Sequence, residues 1–117
     1  MKYIITESKI QKLISSILDN IHIRVVTNGD EMTYPSGKYI LSNPPRIWNE
    51  YIKHFGPIYV MKYDGLYYVV QYQTEGWMVV RGDDGRVLNE KYLIDLMGLS
   101  NFGFDLNQLI GLVKNKT

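Results

Sequence analysis

Residues 56–88 read GPIYVMKYDGLYYVVQYQTEGWMVVRGDDGRVL, running from Gly56 to Leu88, and this block decides the fold. Its short apolar and aromatic runs are cut by Asp64-Gly65, Glu75-Gly76 and Asp84-Gly85. Each dipeptide carries a residue that tolerates positive φ, which tight turns between antiparallel strands demand. The block is expected to form a four-stranded antiparallel meander over about residues 57–88. A two-residue loop at Asp64-Gly65 pairs Tyr63 with Leu66, Met61 with Tyr68 and Tyr59 with Val70 on one face. Ile58, Val60, Lys62, Tyr67, Val69 and Gln71 fall on the other. Neither face is fully polar, so both, being substantially apolar, need cover. If the rest of the chain does not supply it, the face of Tyr59, Tyr63 and Tyr68 is where a partner protein would dock.

Outward from the meander, the apolar spacing turns helical. Ile10, Leu13, Ile14, Ile17, Leu18 and Ile21 recur every three or four residues and predict an amphipathic N-terminal helix, with Ser15, Ser16 and Asp19 facing away. Ile21–Val26 is rich in β-branched residues and predicts a strand ending at Asn28-Gly29. The stretch from Gly29 to Gly37 is poor in hydrophobic residues and is expected as an exposed loop that returns through Lys38–Leu41 as the far arm of a long hairpin. That loop, 29–43, is a second candidate surface. Pro44-Pro45 opens a middle helix whose apolar face is Ile47, Trp48, Tyr51, Ile52 and Phe55, stopped by Gly56-Pro57. Asn89 caps a helix carrying Tyr92, Leu93, Leu96 and Met97, and Asp105 with Gln108 forms a capping box for the last one. The expected fold is α+β, a single domain over 1–117: the meander packed by an N-terminal helix, a middle helix and two C-terminal helices.

Composition narrows the function classes. The chain has 13 basic and 12 acidic residues and a formal net charge of +1, so no global field holds a polyanion. It has no cysteine, which removes disulfides, thiolate metal sites and cysteine nucleophiles together. No apolar run approaches the length of a bilayer span, and the N-terminus shows no small-residue cleavage site, so a soluble chain without membrane association is expected. Tyrosine is the outlier, with ten copies. Most are expected to fill half-buried strand positions; the remainder suit an interface, because Tyr combines large area, few rotamers and a polar tip.

No catalytic, metal or nucleotide signature emerges. The two histidines, His22 and His54, are far apart in sequence, and Glu7, Glu31, Glu50, Glu75 and Glu90 all fall at turns or on polar helix faces. The glycines match turns and helix ends rather than a phosphate-cradling loop. Asp83 and Asp84 lack the further oxygen ligands of a calcium loop, and Arg81-Gly82-Asp83 is accounted for by turn chemistry. No cofactor and no metal are expected. A small enzyme built from His22, His54 and a carboxylate is a third-ranked alternative. A single-stranded nucleic-acid binder ranks above it, with Tyr67, Tyr72 and Trp77 stacking bases and Lys62, Arg81 and Arg86 meeting phosphates.

The opening Met1-Lys2-Tyr3-Ile4-Ile5-Thr6-Glu7-Ser8, followed by an amphipathic helix, resembles the N-termini of small uncharacterised proteins of tailed bacteriophages. The resemblance covers about the first dozen residues and carries over no functional residue. It implies a setting: a virion component or an inhibitor of a host protein, located in the host cytoplasm or in the virion. The first-ranked expectation is therefore a non-catalytic protein-binding module acting through an aromatic-rich surface, with a host or virion protein as partner. Its candidate residues are Tyr59, Tyr63, Tyr67, Tyr68, Trp77, Lys62 and Arg81; assembly into a homo-oligomer stays open.

Overall fold

Strand pairing follows the turn chemistry. The computed structural model describes residues 15–16 and 19–116. β2 (Ile58–Tyr63) and β3 (Leu66–Gln73) are antiparallel, with Tyr63 opposite Leu66, Met61 opposite Tyr68 and Tyr59 opposite Val70, the register expected above. Asp64 and Gly65 have φ of 51° and 76°, the two left-handed residues of a type I′ turn, whose twist matches the strands it joins. β4 (Gly76–Arg81) follows the turn Thr74-Glu75, so Gly76 opens the strand rather than closing the turn. The short β5 (Val87–Leu88) returns beside it. The Gly85 N–H donates to the Arg81 carbonyl at 2.8 Å, and the Arg86 N–H to Asp84 Oδ1 at 3.0 Å.

The expected four strands are five. β1 (Ile21–Val26) pairs antiparallel with β2, from Ile21 opposite Tyr63 to Val26 opposite Ile58, giving a sheet in the order β1-β2-β3-β4-β5. The strand was legible but its neighbour was not, because α1 (Pro45–Phe55) and the 29–43 loop lie between them in sequence. The predicted return arm Lys38–Leu41 forms no strand. Ile40–Ser42 is a 3₁₀ turn with Leu41 and Ser42 left-handed, and only a single bridge joins Thr33 to Tyr39. Burial explains the departure: Met32 and Ile40 both sink into the core, and the Ile40 N–H donates to the Met32 carbonyl. Among the described residues, three α-helices remain: α1, α2 (Glu90–Leu96) and α3 (Leu106–Lys116). The predicted N-terminal stripe from Ile10 to Leu18 lies outside the described residues. Ser15, Ser16 and Asp19 are helical and exposed, and Ile21, the stripe's last member, opens β1. No described helix is long and apolar enough to cross a membrane.

Both sheet faces are covered, which is why Ile58-Tyr59-Val60-Met61 is buried without alternation. On one face Ile21, Tyr59, Met61, Tyr68, Val70 and Val79 pack with Leu93, Ile94, Met97, Leu99, Leu106, Leu109 and Ile110. On the other, Val26, Ile58, Val60 and Val69 pack with Met32, Ile40 and Trp48. The C-terminal helices start where their caps predict. Asn89 Oδ1 accepts the Tyr92 N–H at 2.7 Å, and Asp105 and Gln108 exchange reciprocal bonds at 2.9 Å. Glu90 adds a link the sequence did not show, accepting the Leu106 N–H at 3.1 Å and so joining the starts of α2 and α3.

Two close fits tie α1 to the rest. Gln71, fully buried in β3, donates from Nε2 to the carbonyls of Tyr51 (3.0 Å) and Gly56 (2.9 Å), satisfying acceptors at the helix C-terminus. At the other end, the Gly29 N–H donates to Asn49 Oδ1 at 2.7 Å, and a Cβ on Gly29 would collide with the Pro45 carbonyl. Gly29→Ala is expected to lower stability by about 1–3 kcal/mol, because backbone rather than a flexible side chain must give way. Gln71→Leu removes both bonds to the end of α1 and is expected to cost about 1–3 kcal/mol. Urea unfolding midpoints of the two variants check both figures.

Candidate functional site

The tyrosine face is core. Tyr59 and Tyr68 are 3% and 2% exposed beneath the C-terminal helices, and Tyr63 is half-buried against the same cluster. They share one face with Met61 and Val70, as the strand alternation predicts, and the C-terminal helices packed on that face cover it. Burial, partly offset by the Arg81 cation, holds the Tyr68 phenol above its ordinary pKa.

The predicted base-stacking set is divided by strand parity. Tyr72 and Trp77 lie on the face of the C-terminal helices, opposite each other across β3 and β4, with their rings edge to face at 5.2 Å. Tyr67 and Lys62 pair on the opposite face. Arg81 stands across from Tyr68 with Nε 3.9 Å from Asp84 Oδ2. A strand of nucleic acid lying on either face meets only part of the set. The histidines are also separated: His54 sits 3.6 Å from Glu50 on the exposed side of α1, whereas His22 is on β1. Among the described residues no group of three or more His, Asp and Glu side chains is arranged to hold a metal ion.

Two surface regions take the place of the tyrosine face. The first is a strip that starts on α1. Of the apolar residues predicted to face the sheet, only Trp48 is buried and Ile52 partly so; Tyr51 and Phe55 are 41% and 39% exposed, with Ile47 beside them. Residues 47, 51 and 55 follow at four-residue spacing, so they form one stripe, rotated by a residue from the stripe of Trp48 and Ile52 that meets the sheet. The apolar arc of α1 is wider than the sheet can cover. At its C-terminal end Phe55 joins Pro57, Tyr59, Tyr72, Trp77, Asn107 and Ile110 around a shallow depression. Tyr72 is 54% exposed there, and Trp77 is fixed by an Nε1–H bond to Asn107 Oδ1 at 3.1 Å.

The second region is a recess of about 590 Å³ on the other face, between β1, the start of β3 and the 33–37 turn. Val60, Tyr34 and Tyr67 form its walls, and His22, Arg24 and Lys62 project at its rim. Tyr34 and Tyr67 pack edge to face at 5.0 Å, and the Tyr34 hydroxyl donates to the Gly82 carbonyl at 2.5 Å, pinning the 33–37 turn to the β4–β5 turn. Tyr67 and Lys62 were candidates from sequence; Tyr34 and Arg24 were not. The alternation of His22 and Arg24 with Ile21 and Ile23 along β1 was the available signal, since it places both on one face. Tyr34 gave none, because its role depends on a contact with residue 82.

Burial raises the Tyr34 phenol pKa, and the negative fields of Asp83 and Tyr67 add to the rise. The neutral phenol therefore supports the fold: that contribution is complete below the ordinary tyrosine value of about 10 and is lost as pH climbs through the higher folded value. Tyr34→Phe is expected to cost about 0.5–1.5 kcal/mol at neutral pH through the lost bond to Gly82. It should also make the decline of stability above about pH 10 shallower than in the wild type. Urea midpoints measured on both sides of that pH provide the check.

Comparison with protein-family models, with curated proteins and with solved structures returns no match to this chain.

Proposed function

We propose that the chain is a non-catalytic protein-binding module, and that it engages a partner through the aromatic strip formed by Tyr51, Phe55, Tyr72 and Trp77. The observation that carries this reading is the exposure of α1's second apolar stripe and its continuity, through Phe55, with the aromatic rings at the ends of β3 and β4. Scattered apolar side chains on a surface are ordinary; aromatic rings joined around a common depression are the composition of interface hot spots. Trp77 is held by Asn107 and by its ring contacts with Tyr59 and Tyr72, so part of the strip is ordered before a partner arrives. The partner is a protein that presents an apolar segment. The setting in which it would be met, a phage virion or an infected cell, rests on the N-terminal resemblance alone.

Phe55→Glu and Tyr72→Glu test the reading, because both side chains are solvent-accessible and a charge there should leave stability within about 1 kcal/mol of wild type. The wild-type chain, immobilised in a lysate of its natural host, is expected to retain one stoichiometric protein that both variants lose. Retention by both variants, or no retained protein at all, would overturn the proposal. Light scattering on the purified chain is expected to give a monomer. A dimer that Phe55→Glu splits would assign the strip to a second copy of this chain instead.

A further inference from the structure

The recess bounded by β1, β2, the start of β3 and the 33–37 turn has a separate chemistry. His22 and Lys62 are directly opposite each other across β1 and β2, and Arg24 follows two residues along on the same face. Lys62 thus has an imidazole rather than a carboxylate as its cross-strand partner, and Arg24 projects beside it. Among the described residues no carboxylate lines the recess, and none forms an ion pair with His22, Arg24 or Lys62. In a chain of net charge +1, Arg24 and Lys62 are two neighbouring cations with no ion-pair partner among the described residues. Asp83 does not line the recess; its Oδ2 accepts the backbone N–H of Tyr67 at 3.4 Å.

The walls are fixed before any ligand enters. Arg24 donates from its guanidinium to the Thr33 carbonyl at 3.0 Å, which holds it against the 33–37 turn. Lys62 Nζ stands 5.6 Å from the centre of the Tyr67 ring, within reach of its π face. Tyr34 is tied to Gly82 and packed edge to face on Tyr67. Beside these groups the lining on the same face is apolar: Val60, Pro35 and the two rings. The site therefore combines the cations of Arg24 and Lys62 with an aromatic and aliphatic lining in about 590 Å³, within the range of about 300–1,000 Å³ typical of small-molecule sites.

We infer that this recess binds a small organic phosphate of the nucleoside monophosphate class. The phosphate dianion lies among Arg24, Lys62 and His22, where a guanidinium supplies paired donors and an ammonium a point charge. The planar base lies against Tyr34, Tyr67 and Pro35. A lone carboxylate would neutralise only one of the cations and leave the aromatic wall empty. A polynucleotide needs successive stacking positions, and Tyr72 and Trp77 stand on the opposite sheet face. The site is independent of the aromatic strip on α1 and can be tested without a partner protein.

The experiment is a calorimetric and amide-NMR titration of the intact chain at low salt. The probes are the four ribonucleoside 5′-monophosphates, the matching nucleosides, inorganic phosphate and a short oligothymidylate. At least one monophosphate is expected to bind one to one, with shifts centred on residues 22–24, 33–37, 62 and 67. Its affinity should exceed that of its nucleoside and of inorganic phosphate by about tenfold or more, since each probe lacks one half of the interaction. Arg24→Ala and Lys62→Ala should each weaken binding about tenfold while the unfolding midpoint stays near that of wild type. The inference is overturned if no monophosphate binds below about 10 mM, if a nucleoside binds as well as its phosphate, or if neither variant changes the affinity. An oligothymidylate bound about a hundredfold tighter than any monophosphate would overturn it in favour of a strand-binding surface.

Discussion

Both faces of β2 and β3 are apolar, and the molecule is organised by the need to cover a sheet twice. One cover comes from the C-terminal side of the chain, where α2 and α3 are started by short-range caps at Asn89 and Asp105 and tied together by Glu90. The other comes from the segment between β1 and β2, and it is less regular: one helix, two 3₁₀ turns and a loop anchored by Met32 and Ile40. A helix alone is too narrow to shield five strands, so the loop must carry buried side chains. That in turn requires its backbone polar groups to be satisfied, as the Gly29 bond to Asn49 and the Ile40 bond to Met32 show.

The sequence was most legible where interactions are local. The hairpin at Asp64-Gly65, the caps of α2 and α3, and the proline start and glycine stop of α1 depend on residues a few positions apart, and each was found where the residue chemistry placed it. It was least legible where two distant segments meet. The pairing of β1 with β2 depends on an antiparallel match made across the whole of α1 and the 29–43 loop. The Lys38–Leu41 segment carries residues that would suit a strand, yet burial of Ile40 beside Met32 outweighs that local preference.

The same distinction explains why the candidate surface moved. Alternation along a strand sorts side chains to two faces, but it does not say which face is covered when both are apolar. Tyr59, Tyr63 and Tyr68 were correctly grouped and are core because the C-terminal helices lie on their side. On α1 the error has the opposite sense: Tyr51 and Phe55 belong to a helical apolar arc broader than the contact it makes, so one stripe is buried and the next is left to solvent. Periodicity shows the width of an apolar arc; only the packing partner determines how much of it is used.

Tyrosine usage follows from this geometry. Tyr59 and Tyr68 fill the core, Tyr34 and Tyr67 wall the cationic recess, and Tyr51 and Tyr72 stand on the exposed strip. A residue with a large ring and a polar tip suits all three environments, so an excess of it identifies none of them. What separates the roles is the fate of the hydroxyl and the neighbours of the ring. Tyr34 shows this best: its ring packs edge to face with Tyr67, its hydroxyl donates to the Gly82 carbonyl, and the 33–37 turn is thereby held beside Arg24 and Lys62 of β1 and β2. A half-buried phenol bonded to a backbone carbonyl that is remote in sequence thus makes a connecting turn one wall of a defined recess.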